Sequence, residues 1–285
     1  MTVIHSNLQG FTSKQTGVNN ICEVKAPDVY CGNETSMKGN RKINMDKYFC
    51  FTKNSTKHMH GIVTMVASYL KPNTVRVAEG KEGDEYLVTR YDHIHPALNI
   101  INIYGEQEKG DEEKGKKERI IESWGRLLED IKEIEERNEH MLLIGDMNRA
   151  LGTGEWGIEG NKPIISFGGS LVRDLLATRR FILLNNLPLA KGGPWTWIDR
   201  SNNNVKSCLD MGVISAGLLP FVKSFQVDKD QHFTPRRLRK TKKGVVSSYS
   251  DHFSLEVVFG GLPRSGTSHK EKESGCSWNL KKENG

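Results

Sequence analysis

Short apolar runs rich in valine and isoleucine recur between turn signals along most of the chain. They are Val3 to Ser6, Val29-Tyr30-Cys31, Gly61 to Val66, Tyr86-Leu87-Val88, Leu98 to Ile103, Met141 to Ile144, Phe181 to Leu184, Val213-Ile214 and Leu255 to Val258. Runs of this length and composition predict strands. Three stretches follow a helical period instead. From Ser13 to Ala26, Val18, Ile21, Cys22 and Lys25 mark one face. From about Glu112 to Glu136, Ile120, Ile121, Trp124, Leu127, Leu128, Ile131 and Ile134 form a stripe, and from Gly169 to Arg180 Leu171, Leu175 and Leu176 do so. Many strands interrupted by few helices, in no strict alternation, predict a layered α/β fold with packed sheets and helices outside. The mixed-sign stretch from Glu106 to Lys117 reads as a solvated loop. Beyond Gly261 the apolar period stops, so residues 1–260 read as one domain and 261–285 as a flexible linker.

Composition narrows the class. A chain of 285 residues that is 36% apolar and 27% charged has enough material for a core, which excludes global disorder. No apolar run reaches the length of a membrane span and no charged-then-apolar leader opens the chain, so neither membrane insertion nor secretion is expected. Five scattered cysteines, Cys22, Cys31, Cys50, Cys208 and Cys276, include no paired motif and are read as reduced. The net charge of +6 names no partner as a total. Its distribution says more, because Arg236 to Lys243 holds six basic residues in eight.

Chemistry is concentrated where apolar strands end, since a strand fixes its last side chains while the loop beyond opens to substrate. Four segments share that grammar: Asn7-Leu8-Gln9-Gly10, Glu34-Thr35, Asp146-Met147-Asn148 and Ser250-Asp251-His252. Two carboxylates, an amide and an Asp-His pair suit a magnesium-assisted phosphodiester hydrolase. Hard oxygens hold Mg²⁺, a carboxylate activates water, and an imidazole with an amide steadies charge on phosphorus. Singly, each is also an ordinary turn or an accidental dipeptide; their joint order carries the argument. Other candidates have plainer readings. Glu23 lies on the first amphipathic helix and reads as solvated, and the pairs His58/His60 and His93/His95 read as surface histidines on strands, because carboxylate or cysteine neighbours are lacking.

The succession Asn7, Asn33-Glu34-Thr35, Asn102-Ile103-Tyr104-Gly105, Leu143 to Asn148, Trp195-Thr196-Trp197, Leu209-Asp210-Met211 and Ser250-Asp251-His252 resembles the endonuclease/exonuclease/phosphatase superfamily. Within it the chain is most similar to the apurinic-type endonuclease domain of non-LTR (LINE-type) retrotransposons. The resemblance implies a four-layered α/β sandwich, two packed mixed sheets flanked by helices in the DNase I-like manner. It implies Mg²⁺, with Mn²⁺ substituting, held by Glu34 with Asn7 and Asp251 nearby. Asp146 would activate or orient water, Asn148 and His252 would stabilise the transition state, and Asp210 would hold the imidazole. Tyr104 would contact the phosphate or help poise the nucleophile, and Asp251 would support the metal's hydration or the leaving group. The chain departs from the family pattern at Gln9, Gln107, Met147 and Met211-Gly212.

The same resemblance implies that the hairpin from Asp199 to Lys206 enters a DNA groove, with Arg200, Asn202, Asn203 and Lys206 in contact. The basic run, notably Arg236, Arg237, Arg239 and Lys240, enters the loop leading to the Asp251-His252 motif and suits phosphate contacts. The expected partner is double-stranded DNA, nicked to leave a 3′-hydroxyl for a covalently linked reverse transcriptase, by a domain monomeric in isolation and acting in the nucleus. Two alternatives remain open on the sequence: a same-fold phosphoesterase (a deadenylase, or a phosphatase of inositol phosphates or phospholipids), and a nucleic-acid-binding module without catalysis.

Overall fold

The computed structural model describes residues 1–39, 41–54, 60–77, 85–108, 115–154, 164–202, 205–241 and 244–264. In chain order the elements are β1 (Thr2–Asn7), α1 (Phe11–Val24), β2 (Val29–Asn33), β3 (Tyr48–Lys53), β4 (Ile62–Ala67), β5 (Thr74–Val77), β6 (Glu85–Tyr91), β7 (Leu98–Tyr104) and α2 (Lys116–Glu136). They continue with β8 (His140–Asp146), α3 (Phe167–Ala177), β9 (Phe181–Leu183), β10 (Ala190–Lys191), β11 (Trp197–Ile198), β12 (Lys206–Ser207), β13 (Asp210–Ser215), β14 (Val222–Val227), β15 (Arg237–Thr241), β16 (Gly244–Ser248) and β17 (Leu255–Phe259). One seven-stranded sheet runs β10-β14-β17-β1-β2-β4-β3 and a six-stranded sheet runs β5-β6-β7-β8-β13-β9. Both are mixed: β1 and β2, β10 and β14, and β7 and β8 pair in parallel, and the other neighbours are antiparallel.

Alternation along the central strands builds four layers. Val3, Val29, Leu142, Ile144, Leu255 and Val257 meet between the sheets. Ile4, Tyr30, Val63 and Met65 face the other way, onto Phe11, Val18 and Ile21 of α1. Met141, Leu143 and Val213 face Trp124, Leu127 and Ile131 of α2 and Val172 and Leu175 of α3. Strands covered on both faces are continuously apolar, which is why they stand out in the sequence. This is the expected four-layered α/β sandwich of the DNase I-like type.

Several expectations are corrected. The buried stripe of α2 is Ile120, Trp124, Leu127, Ile131 and Ile134; Ile121 and Leu128 stand 52% and 37% exposed, because a helix resting on a sheet buries a narrower arc. Lys25 ends α1 rather than lining its apolar face, and Leu184 leaves β9 for a short 3₁₀ turn. β3, β5 and β14 were not legible as strands: β3 and β5 are sheet edges and β14 is flanked by the two-residue edge β10, where one side faces solvent. The basic run is not a loop but the hairpin β15–β16, packed against α1 so closely that a Cβ on Gly17 would lie 2.8 Å from Arg236 N. Glu106 and Glu108 are not merely solvated. Arg119 pairs with Glu106 at 3.3 Å, and the Glu108 carboxylate accepts from Phe167 N (3.0 Å), Gly168 N (2.7 Å) and Ser166 Oγ (3.0 Å) at the start of α3. His93 and His95 lie in the turn between β6 and β7, and His58 lies outside the described residues. Past residue 260, His95 N still donates to Pro263 O at 2.9 Å; residues 265–285, with Cys276, lie outside the described part. Cys22, Cys31, Cys50 and Cys208 are free thiols. Among the described residues no helix is long and apolar enough to cross a membrane.

Candidate active site

Register brings the site together. Parallel pairing of β1 with β2 sets Asn7 beside Asn33, so Glu34 emerges next to it. Parallel β7 and β8 set Tyr104 beside Asp146, and antiparallel β13 sets Asp210 directly opposite Asp146. A bridge from Trp197 holds His252 just before β17. Glu34, Asn148 and Gln9 have left-handed backbones, at φ 51°, 49° and 48°. Such conformations are uncommon away from glycine and gather at functional sites. Next to Tyr104, a Cβ on Gly105 would sit 1.9 Å from Met147 O, so only glycine lets the two loops meet.

The polar contacts form one cluster. Asn7 Nδ2 donates to Glu34 Oε1 at 2.9 Å and to Asp146 Oδ2 at 2.8 Å, while its oxygen accepts from Gln9 N at 3.2 Å. Tyr104 OH donates to Glu34 Oε1 at 3.3 Å. His252 Nδ1 lies 2.8 Å from Asp210 Oδ2 and 3.8 Å from Asp146 Oδ2. Asn148 N donates to Asp146 Oδ1 at 3.0 Å, and its side-chain amide donates to Gly105 O at 2.8 Å. Asp251, half-buried at the rim, accepts from Gln9 Nε2. Glu34, Asn7, Tyr104, Asp146, Asp210 and His252 are thus together, with Asn148 and Asp251 at their edge.

Burial and charge set the protonation states. Burial pushes the Glu34 carboxyl up to about 7, with Asp146 adding to it and the His252 cation opposing. Burial likewise raises Asp146 above the usual carboxylate range against the pull of His252. Burial alone would disfavour a charged His252, yet the Asp210 and Asp146 carboxylates outweigh it and lift the imidazole to about 10. The cluster therefore holds an imidazolium between two carboxylates.

A divalent cation fits the Glu34 side of this cluster. Glu34 Oε2 is buried with no hydrogen-bond partner among the described residues, an oxygen that burial would penalise unless a cation faced it. Asp146, Asp210 and His252 also lie within ligand distance of one another. There, however, the facing atoms are already engaged with each other, since His252 Nδ1 is bonded to Asp210 Oδ2.

A supporting layer includes Asn33, Asn102 and Thr196, which stand in the quoted motifs without an assigned role, and His5, which does not. Thr196 Oγ1 accepts from Leu209 N and Asp210 N, both at 2.9 Å, fixing the start of β13. Asn33 Oδ1 accepts from Asp146 N at 2.9 Å, and Asn33 Nδ2 donates to Asn102 Oδ1 at 2.9 Å. His5 Nε2 lies 2.6 Å from Asn33 Oδ1. The available signal was polar residues on the inward face of otherwise apolar strands. Arg149, 1% exposed, braces the loop after Asn148 by donating to Glu106 O at 2.6 Å.

The two basic segments converge on Tyr249. Arg200 donates to the Tyr249 carbonyl, and the Arg236 guanidinium lies 4.8 Å from the centre of its ring. Arg200, Asn202 and Lys206 are exposed on the β11–β12 hairpin, whose tip is closed by Asp199 Oδ1 accepting from Ser201 N at 2.8 Å. Asn203 lies outside the described residues, as do the side chains of Arg237, Arg239 and Lys240.

No protein-family model and no curated protein matches the sequence. Solved structures do. A Neisseria 3′ phosphatase, NExo, bound to a product DNA hairpin superposes with a TM-score of 0.70 at 15% identity, covering 91% of this chain and 99% of that one. The chain shares its fold. An AP endonuclease from Archaeoglobus fulgidus matches with a TM-score of 0.64 at 16% identity over 91% and 99% of the two chains. The catalytic domain of APE2 from Xenopus laevis does so with a TM-score of 0.64 at 13% identity over 91% of each.

Proposed function

We propose that this protein is a divalent-metal-dependent endonuclease that nicks one strand of double-stranded DNA. The observation that carries the reading is the joined cluster Glu34–Asn7–Asp146–His252–Asp210, built from strand ends of both sheets. The shared fold with DNA-processing phosphoesterases supports it, as does the convergence of Arg200 and Arg236 beside the site.

Mg²⁺ would be held by Glu34, with Asn7 and Asp251 beside it, and would neutralise charge on the phosphate. The chain's own groups do the rest. Asp146, oriented by Asn7 and Asn148, takes a proton from water as the oxygen attacks phosphorus; its raised pKa suits a general base near neutrality. His252, kept cationic by Asp210, and the second amide hydrogen of Asn148 stabilise the added negative charge. The bond from phosphorus to the 3′ oxygen breaks, that oxygen takes a proton from solvent water and leaves as a 3′-hydroxyl opposite a 5′-phosphate, and Asp146 returns its proton to solvent. Tyr104, bonded to Glu34, would contact the phosphate or help poise the nucleophile, and Asp251 would support hydration of the metal or the leaving group.

In its finer form the reading is that of a retrotransposon nuclease, whose 3′-hydroxyl primes a reverse transcriptase encoded on the same polypeptide and which therefore acts on chromosomal DNA in the nucleus. The test is an end-labelled duplex incubated with Mg²⁺ and the protein. Nicked ends that a polymerase extends directly support the reading. Products that carry 3′-phosphates, or removal of a 3′-phosphate without strand cleavage, overturn it, the second outcome in favour of a phosphatase.

A further inference from the structure

Val3, His5 and Asn7 share the face of β1 turned toward the second sheet. Val3 there packs as ordinary core, and Asn7 bonds the two site carboxylates. His5, wholly buried between them, is where a further aliphatic residue would pack more favourably, because a buried imidazole must find polar partners.

Its partners are determined by the backbone. Asp146 N can only donate, so the Asn33 atom 2.9 Å from it is the oxygen. Val63 O can only accept, so Asn102 Nδ2 faces it at 2.9 Å and Asn102 Oδ1 receives Asn33 Nδ2. The amide chain has one polarity from end to end. His5 Nε2, 2.6 Å from Asn33 Oδ1, is therefore a donor and carries the ring proton. Nδ1 is left with its lone pair, 3.7 Å from Asp210 Oδ1, and neither atom has a hydrogen-bond partner among the described residues. Two unsatisfied polar atoms facing each other in the core are unfavourable for folding, which points to a role in the site.

We propose that His5 is a positioning residue for the Asp146–Asp210–His252 cluster, locking Asn33 against the Asp146 backbone and keeping water off the free oxygen of Asp210. The first action fixes where the Asp146 carboxylate stands. The second leaves the Asp210 charge undiluted by solvent, so that it acts at full strength on His252. This inference rests on the nuclease reading above.

The experiment compares His5→Gln, whose terminal amide reaches the place of Nε2, with His5→Asn, one atom too short, and His5→Leu, of similar volume but apolar. Nicking kinetics and the downfield proton NMR signal of the His252 Nδ1–H are both recorded. His5→Gln should keep kcat within about threefold, whereas His5→Asn and His5→Leu should lose about tenfold to a hundredfold in kcat with KM unchanged. Equal kcat in folded His5→Leu and wild type, or a loss confined to KM, overturns the proposal. Where His5→Leu fails to fold, equal activity of the Gln and Asn variants overturns it instead. If the wild type does not nick DNA, the nuclease reading fails, and the spectrum decides the positioning role separately. The His252 signal should persist in His5→Gln and shift or exchange away in His5→Asn and His5→Leu, and an unchanged signal in all three overturns the role.

Discussion

On the proposed reading, Glu34 would link a divalent cation to stability. Its carboxyl ionises in the folded state near pH 7, above its ordinary 4.5, so the folded protein is favoured below 4.5 and loses that advantage as pH rises through 7. Without a cation, ionising this buried group disfavours the fold by about 3 kcal/mol. Mg²⁺ should reverse this, raising Tm more at pH 8 than at pH 6, and Glu34→Gln should abolish both the rise and its pH dependence in a thermal melt. A Tm rise equal at both pH values would place the cation elsewhere. For the imidazole, Asp210→Asn should lower nicking by on the order of a hundredfold or more without weakening DNA binding, because the cationic state of His252 would lose its main support. Unchanged turnover would remove Asp210 from the mechanism. At this scale the sequence was informative where a motif bordered a strand: Glu34, Asp146 and His252 do come together, and Asp210, supplied by the resemblance alone, joins them from the start of β13. His5 was illegible as a site residue, and Asn33 and Thr196 stood in motifs without a role, because these roles arise from cross-strand register, which no local spacing reveals.

Helices and hairpins show where periodicity misleads. The α2 stripe was legible, but adjacent positions such as Leu127 and Leu128 divide between core and solvent. Leu127→Ala should lose about 2–5 kcal/mol in chemical denaturation, and Leu128→Glu should stay within about 0.5 kcal/mol. Equal losses would mean that the arc of contact is wider than described. Edge strands carry weaker patterns, since one side needs no apolar cover, and β3 and β5 went unread for that reason. The hairpins β11–β12 and β15–β16 meet at Tyr249, so their cations should act on DNA together. Replacing Arg200 and Arg236 with Gln should reduce the slope of log binding constant against log salt by about 1 to 2. An unreduced slope would leave both arginines as structural braces of Tyr249.

Across the whole molecule, the site is a product of sheet packing. Asn7 and Glu34 come from the seven-stranded sheet and Tyr104, Asp146 and Asp210 from the six-stranded one, while His252 enters from the approach to β17. The layered architecture followed from apolar runs that are continuous because both faces of the central strands are covered. The pairing order did not follow, since long-range register is set by contacts such as Asp210 opposite Asp146. The central claim is that this shared cluster hydrolyses phosphodiesters in DNA. Its most direct test is supercoiled plasmid incubated with wild-type protein in Mg²⁺, in EDTA, and with Asp146→Asn in Mg²⁺. The account predicts conversion to open circle in the first sample alone. Open circle formed equally in EDTA, or by Asp146→Asn, would contradict it, as would intact supercoil in all three.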